Sequence, residues 1–210
     1  MVRAHVKICG VRSSETALAC VELGASAIGV NFVASSPRCV ATHTALAIAR
    51  AVHAAGTKAI VVGVVADMDL EAMRALVREA ELDCLQLHGA ESHVTLAALL
   101  PHAYKAVRIA TSADVESARA YPGEHLLVDA KVAGTLGGTG TAFDWTLVKT
   151  LASERRLTLA GGLDPLNVAR AVREVNPYCV DVASGVEHPG SPGDKDLAKV
   201  RAFIDAARSA

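Results

Sequence analysis

Eight short aliphatic runs, each followed by an amphipathic stretch, occupy nearly all of this 210-residue chain. The runs fall at residues 6–9, 27–32, 59–65, 84–87, 105–109, 126–129, 157–160 and 179–182. Strands buried on both faces read as continuous aliphatic runs, which is how a parallel sheet covered by helices presents itself. With 51% hydrophobic residues and only 3% aromatic ones, the core must be built from Ala, Val, Leu and Ile. Between the runs, apolar residues recur at three- and four-residue spacing, as at Leu70, Met73, Leu76 and Val77, and again at Leu197, Val200, Ile204 and Ala207. Ser13, Thr42 and the pair Asp164-Pro165 supply helix start signals. Eight βα units in about 200 residues predict a (β/α)₈ TIM barrel with parallel strands, one domain over residues 1–210. The alternative is an open doubly wound sheet. It usually has five or six strands, and its first strand leads into a Gly-x-Gly-x-x-Gly turn. Here Cys9-Gly10-Val11-Arg12-Ser13 holds one glycine.

Charge and cysteine usage narrow the function. A net charge of −1 gives no electrostatic footprint for nucleic acid. No apolar run approaches the roughly 18 residues that span a membrane, and Met1-Val2-Arg3-Ala4-His5 lacks the apolar region of a signal peptide. Five dispersed cysteines without a Cys-x-x-Cys read as free thiols in a reducing cytoplasm. The eight histidines show no metal-ligand spacing, so no metal is expected.

In a barrel the active site is built at the C-terminal strand ends. Alternation along the first strand sets Lys7 and Cys9 on one face and Val6 and Ile8 on the other. The other strand ends offer Asn31, Gln86, His88, Arg108, Asp129 and Asp181. Lys7, His88, Arg108 and Asp181 are thus candidate substrate contacts, with Cys9 and Asp129 as a base and an acid facing each other. Packing offers plainer readings: a strand-end cysteine as a small hydrophobe, His88 as a core histidine, Asp181 as the partner of Lys7 or Arg108. Cys20, Cys84 and Cys179 read as packing residues. Three glycine clusters follow neighbouring strands: Gly137-Gly138-Thr139-Gly140, Gly161-Gly162 and Ser184-Gly185. Glycine lets backbone N–H groups converge on an anion, so these loops read as a phosphate cradle made of neutral donors.

Lys7-Ile8-Cys9-Gly10, Ser36-Pro37-Arg38, Leu85-Gln86-Leu87-His88-Gly89 and Leu127-Val128-Asp129 stand in an order that carries a resemblance. The series continues with the strand-six glycines, Phe143-Asp144-Trp145, Leu159-Ala160-Gly161-Gly162-Leu163 and Asp181-Val182-Ala183-Ser184-Gly185-Val186-Glu187. It closes on Pro189-Gly190 and Lys195-Asp196. Essentially end to end, the chain resembles the phosphoribosylanthranilate isomerase family of tryptophan biosynthesis. The resemblance implies a cofactor-free Amadori rearrangement of a small-molecule substrate, phosphoribosylanthranilate. Asp129 would be the general acid and Cys9 the general base. Arg38 would hold the anthranilate carboxylate through its planar fork. Phosphate would sit on Gly138, Thr139, Gly140, Gly161, Gly162, Ala183, Ser184 and Gly185. The chemistry asks for a thiol drawn down by Lys7 or a nearby N–H dipole, and for an Asp129 carboxyl raised by burial. Activity should then fall on both sides of neutral pH. Asn31 and Thr141-Ala142 depart from the family's pattern. The other readings are the histidine-pathway sugar-phosphate isomerase and a non-catalytic barrel that binds a phosphorylated ligand. Nothing in the sequence chooses between monomer and homodimer.

Overall fold

Alternating strands and helices fold here into a ring. The structure, a computed structural model, describes residues 4–129 and 145–210. The elements are β1 (His5–Cys9), α1 (Ser14–Glu22), β2 (Ala27–Asn31), α2 (Thr42–Ala54), β3 (Ile60–Val65) and α3 (Leu70–Glu79). They continue with β4 (Cys84–Leu87), α4 (His93–Ala97), β5 (Ala103–Arg108), α5 (Ser112–Arg119) and β6 (His125–Asp129). The chain closes with α6 (Thr146–Glu154), β7 (Arg156–Ala160), α7 (Val168–Val175), β8 (Cys179–Val182), a 3₁₀ turn (Ser184–Val186) and α8 (Leu197–Arg208). Each strand pairs in parallel with its neighbour in chain order, and β8 returns to β1. The sheet is a closed barrel without an edge, as the eight-fold alternation predicted.

Two cores follow from strand alternation. Val6, Ile8, Leu85, Leu87, Leu126 and Val128 point outward and pack under the helices with residues such as Met73, Val200 and Phe203. Ala27, Val62, Tyr104, Ala106, Leu127 and Ala160 point inward and fill the barrel. Register fixes which inward residues are neighbours: Lys7 pairs with Asp181 and Ala27, Cys9 with Gly29, and Arg108 with Asp129.

The helix starts agree with the sequence in part. Ser13 caps α1 by accepting from the Thr16 N–H, and Thr111 and Asp114 form a reciprocal capping box on α5. Thr42, however, is the first helical residue of α2; Ala41 holds the cap position and makes no side-chain bond. Asp164 accepts from the Leu166 and Asn167 N–H groups, yet α7 starts only at Val168, because an extra turn intervenes. In α8 the buried stripe is Val200, Phe203, Ile204 and Ala207, while Leu197 is exposed. Strand β5 starts at Ala103 and ends at Arg108, two residues and one residue earlier than the aliphatic run suggested. No helix among the described residues is long and apolar enough to cross a membrane.

Candidate active site

Polar side chains collect where the strands end. Cys9 is the last residue of β1, beside Gly29 of β2. A β-carbon at position 29 would lie 2.8 Å from the Cys9 Sγ, so glycine gives the thiol its room. Below it, Lys7 is 2% exposed and donates from Nζ to Asp181 Oδ1 at 3.0 Å and Gln86 Oε1 at 2.9 Å. The Tyr104 hydroxyl donates to the same Gln86 oxygen at 3.2 Å, and Gln86 Nε2 meets His88 Nδ1 at 3.0 Å. Among the described residues every buried side-chain nitrogen and oxygen has a partner.

Burial and charge compete differently at each group. Burial opposes the Lys7 charge, but Asp181, with Cys9 and Tyr104, outweighs it and holds the ammonium well above its ordinary range. For Cys9 the balance tips the other way. Burial pushes the thiol up, and the nearby Lys7 ammonium offsets only part of that. The expected lowering of the thiol is therefore corrected: at this depth desolvation wins. Burial also holds the His88 imidazole below its usual value against the pull of Asp129, so it is neutral at neutral pH.

Asp129 ends β6 and shares with Cys9 a cavity of about 380 Å³. Arg38, His88, Asp181, Gly161, Gly162, Ala183 and Ser184 line the same cavity. Lys7 lies beneath it. Arg108 does not line it; it borders an adjoining hollow of about 440 Å³ that shares His88 and Asp129. Gly185 backs onto the Leu163 carbonyl, where a side chain would overlap. Gly138, Thr139, Gly140 and the Thr141-Ala142 pair lie outside the described residues. Asn31 turns its Oδ1 to the Val33 N–H at 2.8 Å and shapes the loop after β2.

The loops after β7 and β8, expected to receive a phosphate, differ in their backbone. Gly161 and Gly162 sit at φ +95° and +64°, a region that side chains disfavour, and nothing lies within 4 Å of where a Gly162 β-carbon would stand. Asn167 Nδ2 ties that loop down by donating to the Gly162 carbonyl at 2.9 Å. After β8, Ser184–Val186 forms a single 3₁₀ turn.

Arg38 departs from expectation in one respect. Its Nε and Nη2 already grip Glu187 Oε1 and Oε2 at 2.7 and 2.6 Å. The edge of the fork assigned to a substrate carboxylate thus faces the protein, and Nη1 makes no hydrogen bond among the described residues. Burial works against the Glu187 charge, yet hydrogen bonds from Arg38 and Lys195 hold its carboxyl down to about 2. Glu187 and Lys195 were visible in the motifs but given no role. The available signal was an acidic residue two positions after the Ser184-Gly185 pair.

Comparison with known proteins places the chain in a family. The family model of N-(5'-phosphoribosyl)anthranilate (PRA) isomerase matches residues 6–206. The chain belongs to the PRA isomerase family. It is 44% identical over 211 residues to the N-(5'-phosphoribosyl)anthranilate isomerase of Pseudomonas aeruginosa (strain LESB58), covering 100% of this chain and 97% of the relative. The PRA isomerase structure from Thermotoga maritima aligns with a TM-score of 0.86 at 33% identity, covering 99% of this chain and 100% of that one. Another PRA isomerase was solved with reduced 1-(o-carboxyphenylamino)-1-deoxyribulose 5-phosphate. It aligns at TM-score 0.84 and 31% identity, over 99% of this chain and 100% of that one. PRA isomerase relatives thus share the whole barrel, and the enzyme class is that of an isomerase.

Proposed function

We propose that this chain converts N-(5′-phosphoribosyl)anthranilate to 1-(2-carboxyphenylamino)-1-deoxyribulose 5-phosphate, a step of tryptophan biosynthesis, with Asp129 as acid and Cys9 as base. One observation carries the reading: the ends of β1 and β6 bring Cys9 and Asp129 to a single cavity bordered by the glycine loops. The Asp129 carboxyl donates its proton to the ribose ring oxygen as the C1′–O bond breaks. The anthranilate nitrogen lone pair closes the resulting Schiff base. The Cys9 thiolate then takes the C2′ proton, and the released pair forms the enolamine, which tautomerises to the ketone. A carboxylate and a thiol remain, and one net proton exchange restores the starting pair.

The rest of the cavity binds. Main-chain N–H groups of Gly162, Ala183 and Ser184 take the phosphate, with the glycines at 138–140 completing the cradle. Arg38 meets the anthranilate carboxylate from its Nη1 side, since Glu187 occupies the other edge. Lys7 stays charged and favours the thiolate, and Asp181 and Gln86 hold it in place. His88 offers the substrate a neutral ring, and Arg108 adds positive charge at the flank. The reaction moves protons alone and needs no cofactor. The test follows loss of anthranilate fluorescence with substrate made in situ. Wild type should consume it, while Cys9→Ala and Asp129→Ala should each lose several orders of magnitude. A fully active Cys9→Ala would place the base elsewhere.

A further inference from the structure

The Arg38 guanidinium is not held by its own loop. Its stem lies across Gly10, where a β-carbon would overlap it, and its head is fixed by Glu187, 149 residues further on. The same Glu187 Oε1 accepts from Lys195 Nζ at 2.8 Å and from the Gly193 N–H at 3.0 Å. Lys195 Nζ also donates to the Ala183 carbonyl at 3.0 Å, and the Glu187 N–H donates to the Ser184 carbonyl at 3.1 Å. From the helix side, Lys199 Nζ donates to the Glu187 carbonyl at 2.8 Å.

One carboxylate therefore grips the arginine on the carboxylate side of the cavity and braces the loop on its phosphate side. The ammonium of Lys195 is wholly buried and the Glu187 carboxylate 5% exposed, so neither is free to follow a moving ligand. Arg38 is 21% exposed, which leaves part of its head at the cavity. Two cations against one carboxylate leave a single positive charge, and Arg38 is its accessible end.

We infer that Glu187 is a positioning residue that sets the distance between the two anion sites. The enzyme thereby selects ligands carrying a carboxylate and a phosphate at a fixed separation. The inference rests on the reading of Arg38 as the carboxylate contact. Glu187 touches no reacting atom; it acts through Arg38. A guanidinium pinned on one edge loses little further freedom when a second carboxylate arrives, which is how preorganisation raises affinity.

The test measures three ligands by calorimetry. They are the reduced product analogue 1-(o-carboxyphenylamino)-1-deoxyribulose 5-phosphate, its counterpart without the ring carboxylate, and inorganic phosphate. In wild type, the ring carboxylate should strengthen binding roughly 10- to 100-fold, the range of a charge-assisted hydrogen bond. In Glu187→Gln that advantage should shrink to about fivefold or less, while phosphate affinity stays within about twofold. Glu187→Asp should recover part of it. Equal weakening of all three ligands would make Glu187 a loop brace only, and an unchanged advantage would show that Arg38 needs no positioning. Either result overturns the inference. Arg38→Ala separates the underlying reading: if it keeps the full advantage, the carboxylate contact lies elsewhere. Thermal melts accompany each variant. Should Glu187→Gln unfold, Glu187→Asp must show the same loss in part, and failure of both to fold would mark Glu187 as a fold residue and overturn the proposal.

Discussion

The two mouths of the barrel carry similar residue types and differ in what those residues are free to do. At the C-terminal mouth stand Cys9, His88, Asp129 and Arg38. At the N-terminal mouth a cavity of about 440 Å³ is lined by His5, Tyr104, His125, Thr158, Tyr178 and Cys179. There His125 stacks on Tyr104 with ring centroids 4.5 Å apart, and its Nε2 meets Thr158 Oγ1 at 2.7 Å. Burial holds His125 down to about 4 and pushes Cys84 and Cys179 up to about 12, so all three are neutral at working pH. Cys179 offers its thiol to the Val180 carbonyl at 3.5 Å. Polarity alone therefore marks neither mouth as a site. What separates them is the carboxyls: the upper cavity sets Cys9 with Asp129 and Asp181, whereas the lower one is lined by Lys7, Lys58 and Arg208 and, among the described residues, by no carboxyl. Lys7 joins the two: it borders the lower cavity and lies beneath the thiol of the upper one.

The sharpest way to break this contrast is to delete a thiol at each mouth. Cys9→Ala and Asp129→Ala should each lower kcat/KM by at least about 10²- to 10⁴-fold, the usual worth of a positioned acid or base. Cys179→Ala should leave it within about threefold. Equal losses at both mouths would remove the distinction.

Lys7→Met comes next, read in stability. It strands Asp181 inside the barrel, and breaking one side of a buried pair costs about 3–5 kcal/mol. The urea midpoint should fall accordingly, and Lys7→Met with Asp181→Leu should recover much of it. A single variant as stable as wild type would mean that the pair carries nothing.

The pH dependence sharpens the comparison further. On the proposed mechanism Cys9 must be deprotonated while Asp129 still holds its proton, and burial raises the thiol's pKa. The productive pair is then a small fraction at neutral pH, and kcat/KM should hold level until the thiol ionises above its usual value and fall beyond that as Asp129 has no proton left to give. The expectation of a fall on both sides of neutrality is thus displaced on its basic side. An alkaline fall that begins below the usual thiol value would contradict the burial argument.

The smallest effect on activity belongs to His125→Phe. The ring stack survives but Thr158 loses its partner, at a cost of about 1–3 kcal/mol in stability. Turnover should stay within about threefold of wild type by the fluorescence assay.

What the sequence disclosed and what it hid divide along contact range. The barrel was legible because buried parallel strands leave aliphatic runs, and alternation gave the inward side of Lys7, Cys9, Gln86 and Asp129 before any coordinate did. The direction of the Cys9 shift was not legible, since it depends on how deeply the closed barrel buries that strand end. The grip of Glu187 on Arg38 was hidden for a related reason. Only the closure of β8 onto β1 brings the loops after β2 and β8 together. Thr42 and Asp164 misled at the helix starts because a cap is decided by the turn before it, which composition does not fix.

Gly29 lends the site no functional group, yet it limits where the Cys9 thiol can stand. The exchange of one hydrogen for one methyl, trivial in most strands, would push the Cys9 sulfur out of place. A displacement of about 1 Å at a reacting group can cost about 10²-fold in rate. Positions 9 and 29 therefore act as a single unit: a larger residue at 29 asks both the thiol and the backbone of Cys9 to give way.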